Sequence, residues 1–276
     1  MKTLEKKQKQ STFSHSTMDD YNIAPTDKLV LTLSGGMDSS VLLYMAADRG
    51  YNEIFTISFD YGQRHKRELD CIPTQIASFK LENPDVIVHN KVIDVSYIKE
   101  IAPTSSLTND EIDNPDVNAA AGEAQPSSYV PYRNMMFLSI CSSYAEGVGA
   151  RDVWYGAAQV DSLAGYWDSS DLFVEALNNV TKLNREHLIR TSAPLLTMTK
   201  ANIISEGIRL GVKFEDTWTC YSNRADGLAD ATTPSSSLRL KGFIECGYKD
   251  PIQYVQQEKI ESLYLDNYCK SIPTVL

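Results

Sequence analysis

Six residues, Ser34-Gly35-Gly36-Met37-Asp38-Ser39, have the make-up of a phosphate-binding turn. Gly35 and Gly36 can take positive φ, so successive backbone N–H groups can point into one concavity. A helix starting here adds partial positive charge where a phosphate would sit. Ser34 and Ser39 offer hydroxyl donors, and Asp38 could hold a magnesium ion against the phosphates. The GK[ST] ending of a Walker A loop is missing, and the spacing is not GxGxxG. A capped glycine-rich β-turn is the plain alternative, and a strand before with a helix after argues against it.

Two further segments carry chemistry-bearing side chains. Ser58-Phe59-Asp60-Tyr61-Gly62-Gln63-Arg64-His65-Lys66-Arg67-Glu68 follows a second strand. Arg64, Lys66 and Arg67 could meet phosphates, and His65 with Glu68 could form a proton-handling pair. A solvated basic first turn of a helix accounts for Lys66 and Arg67, but poorly for Tyr61, Gln63, Arg64 and His65. Val130-Pro131-Tyr132-Arg133-Asn134 stands directly before another helix. Pro131 stiffens the approach, and Arg133 and Asn134 project at the helix start, where Asn134 could also be a simple cap.

The elements that must hold these residues follow from apolar patterning. Residues 28–33 (KLVLTL) suit a buried strand, and helical spacing runs from Ser40 until Gly50 closes it. Residues 53–59 and 85–95 read as strands, with a helix over 64–80 between them. This β-α-β-α-β order predicts a parallel sheet with right-handed crossovers and ligands at the carboxyl ends of its strands. Residues 105–128 are a long polar insertion, a lid or a mobile loop. Helices are expected over 134–147, near 172–183 and over 198–210, with a short strand at 152–155 and a loop at 157–170. The last part, from 221, starts irregular and ends in an amphipathic stretch near Tyr254 to Tyr268, either an interface or a core helix.

The chain has 276 residues, 42% of them hydrophobic and 22% charged, enough for one large α/β domain or two small ones. Its net charge of −10 argues against a protein built to grip a nucleic-acid backbone, so no direct DNA binding is expected. No apolar run could span a bilayer, and no apolar segment follows the Lys-rich start, so no membrane partner and a cytoplasmic location are expected. The five cysteines are widely spaced with no CxxC pair, which indicates reduced, mostly buried thiols.

In its strand-to-helix context, the glycine-rich loop resembles the PP-loop of the adenine-nucleotide α-hydrolases, which cleave ATP between its α and β phosphates. The three segments together resemble the 7-cyano-7-deazaguanine synthase family (QueC). The resemblance continues at residues 156–168 (GAAQVDSLAGYWD), at Ala193-Pro194-Leu195-Leu196 with Lys200, at Thr217-Trp218-Thr219-Cys220-Tyr221 and at residues 238–243 (LRLKGF). It covers nearly the whole chain, from residue 28 to about 254. It implies a Rossmann-like PP-loop α/β domain over 27–220, with a parallel five-stranded sheet and helices on both faces. A flexible tail (1–26) would precede it, and a small helical C-terminal region (221–276) would follow.

The resemblance also implies an activity. Family members adenylate the carboxylate of 7-carboxy-7-deazaguanine with ATP, form the amide with ammonia, activate that amide again and expel AMP to leave a nitrile. On that reading residues 34–39, namely Ser34, Gly35, Gly36, Asp38 and Ser39 with the intervening Met37, hold pyrophosphate, with Mg2+ at Asp38. Tyr61, Gln63, Arg64 and His65 lie by the substrate, and Arg133 and Asn134 line the nucleotide or substrate side. Asp161, Tyr166 and Asp168 would contact the deazaguanine ring, and Lys200 a phosphate. A homodimer is the implied assembly.

The sequence departs from the family in two places. The family holds a structural zinc with four cysteines. Here one is Cys220, while the other three positions carry Asp230, Thr233 and Ser236, so no zinc is expected. In the substrate loop an arginine is replaced by Ser170 and a proline by Trp167, and the glycine before Arg133 by Tyr132. These changes leave open a ligase that joins the activated acid to a different amine, including one on a protein acceptor; QueC-like proteins encoded beside antiviral defence genes are one such setting. An ATP-sensing protein without chemistry is the alternative of another class, and the retained Ser34, Asp38, Arg64 and His65 speak against it. A PP-loop thiolase would bring a catalytic cysteine pair or an RNA-binding appendage, and neither is evident.

Overall fold

A computed structural model of the chain describes residues 27–63, 67–109, 111–113, 126–220 and 226–272. The sheet is built from β1 (Lys28–Thr32), β2 (Glu53–Asp60), β3 (Ile87–Asp94), β4 (Asp152–Trp154) and β5 (Arg190–Ser192). All four pairings are parallel and the strand order is β3-β2-β1-β4-β5. The sequence had located the first four strands. The fifth, Arg-Thr-Ser, carries no apolar run; its pairing is reinforced by Asn178, which donates to Thr191 O and accepts from Thr191 N–H.

The central strand shows why helices must cover both faces. Leu29, Val30 and Leu31 are all fully buried. Leu29, Leu31 and Leu33 pack in one core cluster with α1 (Met37–Asp48), α2 (Arg67–Glu82) and α7 (Lys200–Leu210). Val30, with Phe55, Ile57 and Phe59, faces the other cluster, filled by α4 (Arg133–Val148) and α6 (Asp171–Thr181). The strict alternation of a strand forces this division.

Several bounds differ from those read in the sequence, each for a local reason. The first helix starts at Met37 rather than near Ser40, because Ser40 N–H and Oγ both bond back to Gly36 O. A short α3 (Ile98–Ile101) follows β3. Residues 157–170, expected to be a loop, contain α5 (Gln159–Leu163); Asp161 Oδ2 accepts from Ala158 N–H at 2.9 Å and caps it. The polar start of the C-terminal region conceals α8 (Pro234–Glu245), whose first residue is a proline suited to that position. The amphipathic stretch becomes α9 (Gln257–Asp266), with Ile260 and Tyr264 buried. Among the described residues, no helix is long and apolar enough to cross a membrane.

Arg239 joins α8 to the rest of the fold. Its guanidinium is fully buried and binds both Asp250 oxygens, at 2.7 and 2.9 Å. It also donates to Thr217 Oγ1 at 2.7 Å and Phe214 O at 3.0 Å, and the Tyr254 hydroxyl donates to Asp250 Oδ2 at 2.7 Å. Burial works against the guanidinium charge, but the Asp250 carboxylate more than offsets it and the net shift is upward. Removing one member of such a pair strands the other charge. Arg239→Met should therefore lower stability by about 3–5 kcal/mol in urea denaturation, and a loss below about 1 kcal/mol would mean that the pair is dispensable.

Candidate functional site

The strand order reverses at β1. The chain runs outward through β2 and β3, then returns to place β4 on the other side of β1. Doubly wound sheets bind ligands at such a switch point, beyond the carboxyl ends of the strands. A pocket opens there. Its lining includes Thr32, Leu33 and Ser34 at the end of β1 and Tyr155, Gly156 and Ala157 after β4. Of the residues singled out in the sequence, Ser34, Gly36, Asp38, Ser39, Tyr61, Gln63, Arg133, Asn134, Asp161 and Tyr166 line it.

The glycine-rich loop is tightly braced. Gly35 takes φ +86°, and a Cβ there would overlap the Glu68 carbonyl, so only glycine fits. Gly36 does not take the expected positive φ; at −80° and ψ 167° it is extended and caps α1. Gly35 O accepts from Gln75 Nε2 at 2.6 Å and from Trp218 N–H at 3.2 Å. Ser34 Oγ lies 3.1 Å from Ser39 Oγ and accepts from Gly36 N–H at 3.2 Å. The two hydroxyls therefore order the loop as well as face the pocket.

Asp38 sits in the first turn of α1, with Oδ2 2.7 Å from Lys200 Nζ. Its Oδ1 is buried without a hydrogen-bond partner, an arrangement suited to one coordination position on a hard cation. Burial works against the Lys200 ammonium, but the Asp38 and Asp161 carboxylates outweigh it and hold the group charged. Lys200 thus meets the loop's carboxylate rather than lining the pocket itself. Burial raises Asp161 above the usual carboxylate range, while Lys200 and the Ala158 N–H oppose that shift.

Across the pocket, Arg133 Nη1 reaches the Tyr61 hydroxyl at 3.4 Å. Gln63 turns back on its own segment, accepting from Tyr61 N–H at 2.9 Å and donating to Phe59 O at 3.2 Å. Arg64 and His65 lie outside the described residues. The Tyr166 hydroxyl bonds Ser128 Oγ at 2.7 Å. Asp168 does not line the pocket. It is buried beside Arg133 and Asn134, and burial holds its carboxyl above the usual range against their pull. Its placement suits holding the start of α4 rather than touching a ligand.

The pocket also holds residues outside the set assigned from the sequence. Thr219 and Ser128 line it, as does Glu68, which the sequence suggested only as half of a proton-handling pair. Burial pushes the Glu68 carboxyl up to about 8, with the Arg133 guanidinium opposing and Asp38 and Cys220 adding to the rise. Thr219 stands in a segment recognisable from its Trp and Cys neighbours, whereas Ser128 gave no signal.

The bulky replacements noted in the sequence meet in space. Tyr132 adopts φ +55°, a conformation that favours glycine, and its ring packs edge-on against Trp167 with centroids 5.4 Å apart. Trp167 Nε1 donates to the Tyr129 hydroxyl at 2.7 Å. Ser170 caps α6 by accepting from Phe173 N–H at 3.2 Å.

The geometry is that of a doubly wound α/β sheet with a pocket at its switch point, and comparison with known proteins specifies it further. The profile described as queuosine biosynthesis protein QueC matches residues 28–247. The chain belongs to the QueC family. It is 41% identical over 235 residues to the 7-cyano-7-deazaguanine synthase of Clostridium kluyveri, covering 82% of this chain and 97% of that one. It is 41% identical over 228 residues to 7-cyano-7-deazaguanine synthase 1 of Colwellia psychrerythraea, covering 83% and 99%. Against the 7-cyano-7-deazaguanine synthase of Thermoplasma acidophilum, it is 39% identical over 245 residues, covering 87% and 95%.

The four positions where the QueC resemblance placed zinc cysteines do converge. Cys220 Sγ accepts from Asp230 N–H at 3.2 Å and lies 3.8 Å from Thr233 Oγ1, which donates to Ser236 Oγ at 2.9 Å. Asp230 Oδ1 is engaged by the N–H and the hydroxyl of Thr232, at 2.9 and 2.7 Å. One thiol, two hydroxyls and an engaged carboxylate are not the donor set of a closed zinc site.

Gly35→Ala and Gly50→Ala test the loop. Both glycines have positive φ, but nothing lies within 4 Å of a Cβ at Gly50. Gly35→Ala should cost at least about 2 kcal/mol more than Gly50→Ala in urea denaturation. Equal costs would show that the close approach to Glu68 does not constrain the loop.

Proposed function

We propose that this chain makes 7-cyano-7-deazaguanine from 7-carboxy-7-deazaguanine, ammonia and ATP. The observation that carries this reading is the match of about 40% identity to the synthases over nearly their full length, together with a braced phosphate loop at the sheet's switch point. A carboxylate is a poor electrophile because its oxygen is a poor leaving group. Attack of that oxygen on the α-phosphorus of ATP releases pyrophosphate and gives an acyl adenylate. Nitrogen then attacks the carbonyl and AMP leaves with one carboxylate oxygen. The amide oxygen attacks a second ATP, and the second AMP leaves with that oxygen as the C≡N bond forms.

The side chains divide this work. Loop N–H groups and the hydroxyls of Ser34 and Ser39 bind the departing pyrophosphate. Lys200 holds Asp38, and Asp38 would hold a magnesium ion through Oδ1; when bound, that ion neutralises polyphosphate charge. Arg133 faces the reacting carboxylate or nucleotide, and Asp161 and Tyr166 read the deazaguanine ring. Cys220, Asp230, Thr233 and Ser236, hydrogen-bonded among themselves, would hold no zinc. A second reading, condensation with a larger amine, draws support from the Tyr132–Trp167 pair and from the absence of a cation at position 170.

Incubation with ATP, magnesium and the acid, with and without ammonium, tests these readings by mass spectrometry. The synthase gives nitrile and two AMP per product, only with ammonium. Adenylate or amide without nitrile selects the larger amine, and no AMP at all sinks both.

Metal analysis and 1,10-phenanthroline treatment test the zinc statement. Purified protein should hold far less than one zinc per chain and keep its unfolding midpoint. Stoichiometric zinc, or a midpoint that drops with chelator, would overturn it.

A further inference from the structure

The proposed reaction strips nitrogen of every proton it brings. Ammonium carries four N–H bonds and a nitrile nitrogen none, so a proton acceptor must stand beside the attacking nitrogen. Among the described residues, three carboxylates line the pocket: Asp38, Glu68 and Asp161. Asp38 is paired with the Lys200 ammonium. Asp161 accepts from Ala158 N–H and lies within the field of the same lysine. The Glu68 carboxylate is hydrogen-bonded to none of the described residues.

Its position is fixed by its own backbone. Glu68 is in the first turn of α2, and its carbonyl lies so close to Gly35 that no Cβ fits between them. The side chain therefore enters the pocket from a main chain locked against the phosphate loop. We propose that Glu68 is the catalytic residue that binds the incoming ammonium and accepts protons from its nitrogen. This rests on the synthase reading and deepens it.

The balance is direct. Ammonium pairs with the carboxylate and passes one proton to it, which frees the lone pair for attack on the acyl carbon. As the C–N bond forms and AMP leaves, the nitrogen sheds a second proton by the same route once the first has gone to solvent. The last two leave as the activated amide becomes the nitrile. Among the described residues, the charged or titratable groups facing Glu68 are Arg133 on α4, Asp38 on α1 and the Cys220 thiol. Burial, with the two acids, keeps the carboxyl neutral while only phosphates are present; Arg133 and an arriving cation favour its ionisation. A carboxyl raised to about 8 is better matched to a nitrogen acid than an ordinary glutamate is.

The test separates this step from adenylation. Enzyme, acid, ATP and magnesium are mixed without ammonium until acyl adenylate accumulates, and its conversion to amide is then followed after adding ammonium between pH 6.5 and 9.5. If wild-type protein forms no adenylate, the synthase reading fails, and the Glu68 assignment fails with it. If adenylate forms, the rate normalised to ammonium ion should rise with pH through about 8 and then level, because the accepting form of a raised carboxyl exists above its pKa. Glu68→Gln should slow the step about a hundredfold and flatten the profile. Glu68→Asp should keep the profile at a reduced rate, and serves alone if Glu68→Gln forms no adenylate. A flat wild-type profile, an inflection near pH 6.5 pointing to His65, or Glu68→Gln at the wild-type rate would each overturn the proposal.

Discussion

The absence of a side chain at Gly35 is the constraint on which the site depends. Its positive φ turns the chain from β1 into α1 over a very short distance. The bare Cα lets the first turn of α2 press against the loop, and the Gly35 carbonyl ties in Gln75 and Trp218. Two segments far apart in sequence, α2 and the stretch at Trp218, are thereby fixed to the spot where a polyphosphate would sit. Trp218 carries the effect onward, because Arg67 stacks over its ring at 3.5 Å and also bonds Gly227 O. The phosphate loop is thus one node in a packed structure rather than a flexible turn awaiting a ligand.

Much of this was legible because strong patterns wrote it. KLVLTL and EIFTISF are runs that only a buried strand explains, and the turn between strand and helix exposes its chemistry in six residues. What escaped was decided by contacts distant in sequence or by single side chains. The fifth strand is three polar residues held by Asn178 and β4. The short helix after β4 depends on the Asp161 cap, and α8 begins in a serine run that resembles a loop. Gly36 looked as permissive as Gly35, yet the geometry needed only one left-handed residue.

The site residues divide in the same way. Residues on the loop and at the strand ends were visible because their positions follow from the fold. Asp168 is a polar type in the right segment, yet it sits buried beside Arg133 and Asn134, and Gln63 lines the pocket while its amide bonds its own turn. Residue type and segment do not fix where a side chain points. Arg239 shows the converse: unremarkable within Leu-Arg-Leu-Lys, it is the most heavily bonded buried charge described for the chain.

Gly242, on α8, extends the reach of the site into the C-terminal region. A Cβ there would approach Lys200 Cγ at 3.0 Å and Ile204 Cδ1 at 2.8 Å, so the stem of Lys200 runs through space that this glycine leaves open. That stem delivers the ammonium to Asp38. A methyl group on this one face of α8 would have to be met by a small shift of the Ile204 tip and of the Lys200 stem, so the packing of the C-terminal region reaches Asp38 through a single lysine.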